Sequence, residues 1–139
     1  MILLDTHAWI WTVEGDSRRI GRRARQMIAR AEGRESVRVS AATLFEIVAL
    51  HTSGRLRLAQ PAEQWIESSM DLPGVRLAEL TRGVAVDAGF IPRTALQDPL
   101  DRLIVATARQ LAATLLTADA AILEYAKRTG NVRVQPLMA

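Results

Sequence analysis

Short apolar runs alternate with longer amphipathic stretches along this chain, and each run predicts an element. Met1–Leu4 is continuously apolar and stops at Asp5, the pattern of a short buried strand. Thr6 to about Val13 carries Ala8, Trp9, Ile10 and Trp11 and reads as a short helix closed near Gly15. Ser17 offers an N-cap for a helix to about Ala31, along which Ile20, Ala24, Met27, Ile28 and Ala31 form one stripe. Val37–Val39 reads as a second strand, and Ser40 as the cap of a helix that ends by Gly54. Pro61 suits the first position of a helix through Trp65 and Met70, and Pro73-Gly74 marks a turn. Val75–Leu80 then predicts a strand, and Thr81–Phe90 a helix broken by Pro92. DPLDRLIVATARQLAA, beginning at Asp98, is the strongest helical pattern in the chain. It leads to a strand at Thr114–Leu116, a helix from Asp119 to Arg128, and a last strand at Val132–Val134.

Strands that alternate with helices, the first and fourth apolar throughout, belong to a parallel sheet buried on both faces. The expected fold is therefore α/β: a central, mostly parallel sheet of about five short strands with helices on both sides. No repeat, low-complexity tract or linker divides the 139 residues, so a single domain over residues 1–139 is expected.

Composition narrows the class. With 49% hydrophobic and 24% charged residues, the chain fits a soluble globular protein and not a disordered one. The absence of cysteine removes disulfides, thiolate metal sites and cysteine nucleophiles, and two histidines, His7 and His51, do not suffice for an imidazole-rich zinc site. No apolar run approaches the roughly 20 residues of a membrane span. The N-terminal apolar stretch has no basic leader and meets Asp5 at once, unlike a secretory signal. A cytoplasmic protein without a membrane partner is expected. The net charge of +3 hints at a polyanionic partner. Lys127 is the only lysine among 18 basic residues, and arginine suits phosphate recognition, although a GC-rich genome gives the same bias. Arg18, Arg22 and Arg25 would share a face of the helix predicted from Ser17, with Arg19, Arg23 and Arg30 beside it. That face is either a phosphate-binding surface or an ordinary solvated one.

Five acids stand among apolar residues: Asp5, Glu46, Asp98, Asp101 and Asp119. A buried carboxylate needs a cation, hydrogen bonds or water, and a cluster beside a cavity suits a hard divalent ion. In open α/β sheets, ligands bind beyond the carboxyl ends of the strands. Asp5 and Asp119 directly follow, or lie two residues beyond, predicted strands. Glu46 lies under two turns into the helix that leaves Ser40. Asp98 and Asp101 share a face at a helix start, although connectivity alone does not put that turn at the same edge. Each acid also has a structural explanation. D-P-L-D is close to a capping box, Asp5 and Asp119 could be plain N-caps, and Glu46 could pair with an arginine or face solvent.

At these residues the chain resembles PIN-domain ribonucleases of the VapC toxin type. The resemblance rests on LLDTHAWIW, SAATLFEI, GRLRL at Gly54–Leu58, DPLDRLIVATA and LLTAD, and covers nearly the whole chain. It implies a PIN-like fold and a metal-dependent endoribonuclease, the toxin of a VapBC-type toxin–antitoxin module. It implies hydrolysis of RNA phosphodiester bonds by metal-activated water, leaving a 5′-phosphate and a 3′-hydroxyl. Asp5, Glu46, Asp101 and Asp119 match the family's catalytic, metal-binding acids, holding one or two Mg²⁺ or Mn²⁺ ions. Asp98 is the extra acid of the D-P-x-D-R motif. Thr6 and Thr117 would order the carboxylates or a bound water. Arg102 is read as a structural ion-pair partner able to touch phosphate. A cognate antitoxin and homodimerisation are implied too. Relatives with the D-T-H-A start often carry a histidine shortly before D-P-x-D-R, where this chain has Ala95-Leu96-Gln97. Two alternatives stand beside this reading: a catalytically silent PIN-like domain that binds RNA or protein, and a nuclease of RNA maturation or nucleic-acid structure outside a toxin system.

Overall fold

The computed structural model describes all residues, Met1–Ala139. Its elements run β1 (Ile2–Leu4), α1 (Thr6–Glu14), α2 (Arg22–Gly33), β2 (Val37–Ser40), α3 (Ala41–Thr52), α4 (Ala62–Met70), β3 (Val75–Ala78), α5 (Arg82–Phe90), α6 (Pro99–Leu111), β4 (Thr114–Thr117), α7 (Ala120–Thr129) and β5 (Val134–Pro136). The five strands form one sheet in the order β3-β2-β1-β4-β5, and every pairing is parallel. The α/β architecture read from the sequence is thus the observed one.

β1 lies at the centre because it is the most apolar strand: Ile2, Leu3 and Leu4 are all buried. Leu3 pairs in register with Leu115, and Leu4 with Leu116. Successive side chains point to opposite faces, so each strand feeds two cores. Ile2, Leu4, Val37, Val39 and Leu116 pack with Trp9, Ala24, Ile28 and Trp65 from the helices on one side. Leu3 and Leu115 pack on the other side with Ile104, Val105 and Ala108 of α6 and Ile122 and Tyr125 of α7. Trp9 and Trp65 meet edge to face, with ring centroids 5.1 Å apart.

Three element boundaries differ from the sequence pattern. Ser17 does not cap the second helix, which starts a turn later, after Gly21. Gly21 donates its N–H to the Leu137 carbonyl at 2.7 Å, and a Cβ built on it would stand 2.7 Å from the Met138 backbone. The C-terminal segment therefore occupies the space that an earlier helix start would need. Arg18 and Arg19 consequently lie in a turn, and the expected continuous face from Arg18 through Arg25 does not form. Pro61 is the residue before α4 and not its first. The last strand lies at Val134–Pro136, two residues beyond the expected Val132–Val134, because its register pairs Val134 with Leu115 and Pro136 with Thr117. Proline is tolerated there because β5 is an edge strand.

Candidate active site

β1 and β4 are neighbours from which the chain crosses to opposite halves of the sheet, so their carboxyl ends open a crevice. Asp5 follows β1 directly and is the N-cap of α1. Asp119 lies two residues past β4 and is the N-cap of α7. Asp98 is the N-cap of α6, with Pro99 in its first turn. A helix that returns the chain to the start of a parallel strand must itself begin at the opposite edge. The opening turn of α6 therefore stands with Asp5 and Asp119, which connectivity left open in the sequence. α3 leaves the same edge, capped by Ser40, whose hydroxyl accepts the Ala42 N–H at 3.0 Å.

All five acids line one cavity of about 340 Å³: Asp5, Glu46, Asp98, Asp101 and Asp119, together with His7, Trp11, Arg19 and Ala118. Asp5, Asp98 and Asp119 are thus helix caps and cavity-wall residues at once. Three helix N-termini point their positive ends at the cavity and offset part of its negative charge. Another cavity, about 360 Å³, lies among Arg109, Ala112, Gly130 and Arg133 and has no carboxylate on its wall.

Hydrogen bonds hold the carboxylates differently. Asp5 is buried, with Oδ1 accepting the Thr6 N–H at 2.7 Å and Oδ2 accepting the Thr117 hydroxyl at 2.6 Å. Thr117 Oγ1 in turn accepts the Asp119 N–H at 2.9 Å, so one hydroxyl ties the first acid to the last. Asp119 Oδ1 accepts the Ile122 N–H at 3.0 Å. The Thr6 hydroxyl donates to Glu46 Oε1 and stands 3.2 Å from Thr43 Oγ1. Thr6 has one hydroxyl proton, so with the carboxylate accepting it, Thr43 is left to donate to Thr6. Asp98 Oδ1 accepts the Leu100 N–H at 2.8 Å, the bond of a plain cap. The reciprocal bond of a capping box is not made. Asp101 accepts no hydrogen bond from the protein and lines the cavity.

This arrangement perturbs two groups. Burial is the main cause that raises the Asp5 carboxyl above its ordinary value. Glu46 and Asp119 add to it, against the hydrogen bonds from Thr117 and Thr6. Asp101 is pushed up to about 8, first by burial and then by Asp119, Asp98, Asp5 and Glu46. Without a counter-charge, burial and the neighbouring carboxylates disfavour the ionised forms of Asp5 and Asp101. The donors are hard oxygens, with no thiolate among them, which suits Mg²⁺ or Mn²⁺. No three acid or histidine side chains close on a single point, a spread that mutual repulsion favours.

The basic residues are placed otherwise than expected. Arg18 and Arg22 are exposed and away from the cavity, and Arg25 borders a separate cleft with Trp11, Ile20 and Ile28. Arg102 makes no ion pair. It donates to the Gln97 carbonyl at 3.4 Å, and its Nε is buried without a partner. Arg19 and Trp11 line the cavity, although the sequence reading gave neither a place in the acidic site. Their signal, a Trp two turns from an Arg across a glycine turn, has no meaning until the turn is folded.

An α/β protein with carboxylates gathered at the crevice of a 3-2-1-4-5 sheet has the build to hold a hard divalent ion there. The PIN domain model matches residues 2–128. Ribonuclease VapC22 of Mycobacterium tuberculosis is 34% identical over 119 residues, which span 85% of this chain and 86% of that protein. The fold is similar to that in the crystal structure of VapBC2 from Rickettsia felis bound to a promoter DNA fragment. The TM-score is 0.68 at 15% identity, covering 97% of this chain and 98% of the other. It is similar also to that of FitAcB from Neisseria gonorrhoeae, with TM-score 0.63 at 24% identity and coverage of 98% and 97%. The chain belongs to the PIN-domain family, among the VapC ribonucleases.

Proposed function

We propose that this chain is the endoribonuclease toxin of a VapBC-type toxin–antitoxin module, acting as a single domain. The observation that carries the reading is the convergence of Asp5, Glu46, Asp98, Asp101 and Asp119 on one cavity. Asp5, Glu46, Asp101 and Asp119 would hold one or two Mg²⁺ or Mn²⁺ ions. A divalent ion bound there supplies the positive charge that makes water a better nucleophile and steadies charge on the phosphoryl oxygens. Thr117 and Thr6 fix the direction of Asp5 and Glu46, so those carboxylates are oriented before substrate arrives. Asp101, free of protein hydrogen bonds, is the carboxylate most available to a ligand. Hydrolysis would leave a 5′-phosphate and a 3′-hydroxyl.

The proposed setting is the cytoplasm, in keeping with the absence of any helix long and apolar enough to cross a membrane. The proposed partners are RNA as substrate, a cognate antitoxin that covers the site, and a second copy of the chain. VapBC and FitAB complexes among the similar structures support the antitoxin. Exposed Phe45, Val48, Val86 and Phe90 on α3 and α5 are apolar surface available to such partners.

The test is cleavage of total bacterial RNA by antitoxin-free protein with Mg²⁺ or Mn²⁺, with chelator, and beside Asp101→Asn prepared identically. Discrete products that require both metal and Asp101 are expected. Equal products from both proteins would mean a contaminating nuclease. Metal and RNA binding without cleavage would favour a silent binding domain.

A further inference from the structure

The acid cavity has one wall of opposite character. Of the residues that line it, Arg19 is the only one with a permanent positive charge. Its Nε pairs with Asp16 Oδ2 at 3.3 Å, and its Cζ stands 5.1 Å from the centre of the Trp11 ring. The indole and the carboxylate together hold the guanidinium at the rim, while its two Nη groups bond to nothing in the protein. The His7 ring lies 5.5 Å from that of Trp11, tilted by 48°. Trp11 is half-buried, whereas Trp9 and Trp65 are 1% and 4% exposed. Trp11 is thus the one indole with a surface to offer.

We infer that Arg19, Trp11 and His7 form a nucleotide subsite for unpaired RNA beside the carboxylates, an inference that rests on the ribonuclease reading. A strand entering this cavity brings several phosphates, and five carboxylates repel all of them. The scissile phosphate has the acids and their cation. The adjoining phosphate needs a cation of its own, and the Nη pair of Arg19 presents the planar fork that matches phosphate oxygens. The base of that nucleotide then lies against the Trp11 and His7 rings, since unpaired bases stack on aromatic side chains. A base held in a duplex is not free to do so. The site therefore selects single-stranded or looped RNA at this position without reading its sequence by hydrogen bonds.

The full-length Asp101→Asn protein is titrated in Mg²⁺ with oligoadenylate, oligouridylate and a duplex RNA of equal length, following tryptophan fluorescence. Because Trp9 and Trp65 are buried, a change reports Trp11. Both single strands should alter the fluorescence and the duplex should not. Arg19→Ala in that background should weaken single-strand binding about tenfold and lower the slope of log affinity against log salt by about 0.7. Arg19→Lys should keep the slope but lose part of the affinity. In the cleaving protein, Arg19→Ala should raise KM by a similar factor with kcat nearly unchanged. Arg19 is exposed, so its variants should melt with the parent by circular dichroism. RNA bound and cleaved equally well after Arg19→Ala, or duplex bound as tightly as single strand, would overturn the subsite and leave the ribonuclease reading intact. If the unaltered protein cleaves no RNA and Asp101→Asn binds none, the ribonuclease reading fails and the subsite with it.

Discussion

The Thr117 hydroxyl donates to Asp5 Oδ2 at 2.6 Å across the boundary between β1 and β4. These residues are far apart in sequence, and their contact exists only because the two strands are parallel neighbours that end at the same level. Thr117→Val keeps the shape of the side chain and removes the donor. The loss of a hydrogen bond to a charged group should cost about 1–3 kcal/mol in urea unfolding with metal bound. Cleavage should fall with it, and Thr117→Ser should restore both. Unchanged unfolding and cleavage in Thr117→Val would show that the bond does not orient Asp5.

Asp101→Asn replaces a carboxylate by an amide of the same size. Cleavage should fall by more than the roughly 10–100-fold that loss of an outer partner costs a metal site. Metal-free stability at pH 8 should rise, since a buried negative charge surrounded by four others has been removed. A variant that unfolds instead would mean that Asp101 serves mainly the helix start.

The raised carboxyls link stability to pH. Asp5 and Asp101 bind protons more tightly in the folded chain than at their ordinary value of 3.8. Between 3.8 and about 8, the folded state therefore holds more protons than the unfolded state at Asp101. The stability contribution of these groups is full below about pH 4 and is lost as pH rises toward 8. Thermal melts in chelator should show wild type losing stability relative to Asp101→Asn between pH 5 and pH 8, as those directions require. Mg²⁺ should close that gap most at pH 8. A gap that does not depend on pH would contradict the charge balance described for the cavity.

Asp98 separates capping from chemistry. Asn also caps helices, so Asp98→Asn should change stability by less than about 1 kcal/mol. Cleavage should be reduced less than in Asp101→Asn, because the cap bond to Leu100 already occupies one Asp98 oxygen. Cleavage abolished in a fully folded Asp98→Asn protein would move Asp98 among the essential acids.

Gly74 tests the turn before β3. Its φ is +83°, and a Cβ there would stand 2.5 Å from the Glu32 carbonyl oxygen. Gly74→Ala should cost more than the about 1–2 kcal/mol of a left-handed residue, because backbone must move as well. Denaturant unfolding that shifts by less than this would mean that the turn relaxes freely.

Most of the element order was legible because it depends on local chemistry. Apolar runs marked the strands, Ser40, Thr81, Asp98 and Asp119 cap the helices they precede, and Gly15 and Gly130 end theirs. Two of the exceptions share one cause. Ser17 lost its capping role, and the last strand moved to Val134–Pro136, because the C-terminal segment packs on Gly21 and pairs with β4. No local pattern encodes a contact between those two ends.

The candidate site divides in the same way. The sequence by itself determined that Asp5, Glu46, Asp98, Asp101 and Asp119 stand among apolar residues, where a carboxylate that is buried needs a cation, hydrogen bonds or water. Only the tertiary structure decided that five acids face one cavity, that Asp101 takes no hydrogen bond, and that Arg19 on Trp11 forms the opposite wall while Arg18, Arg22 and Arg25 do not. Apolar sequence surroundings are a property of a residue and its near neighbours in the chain. The balance of charges across a cavity depends on distances between elements, and those are set when α1, α3, α6 and α7 all leave one edge of the sheet.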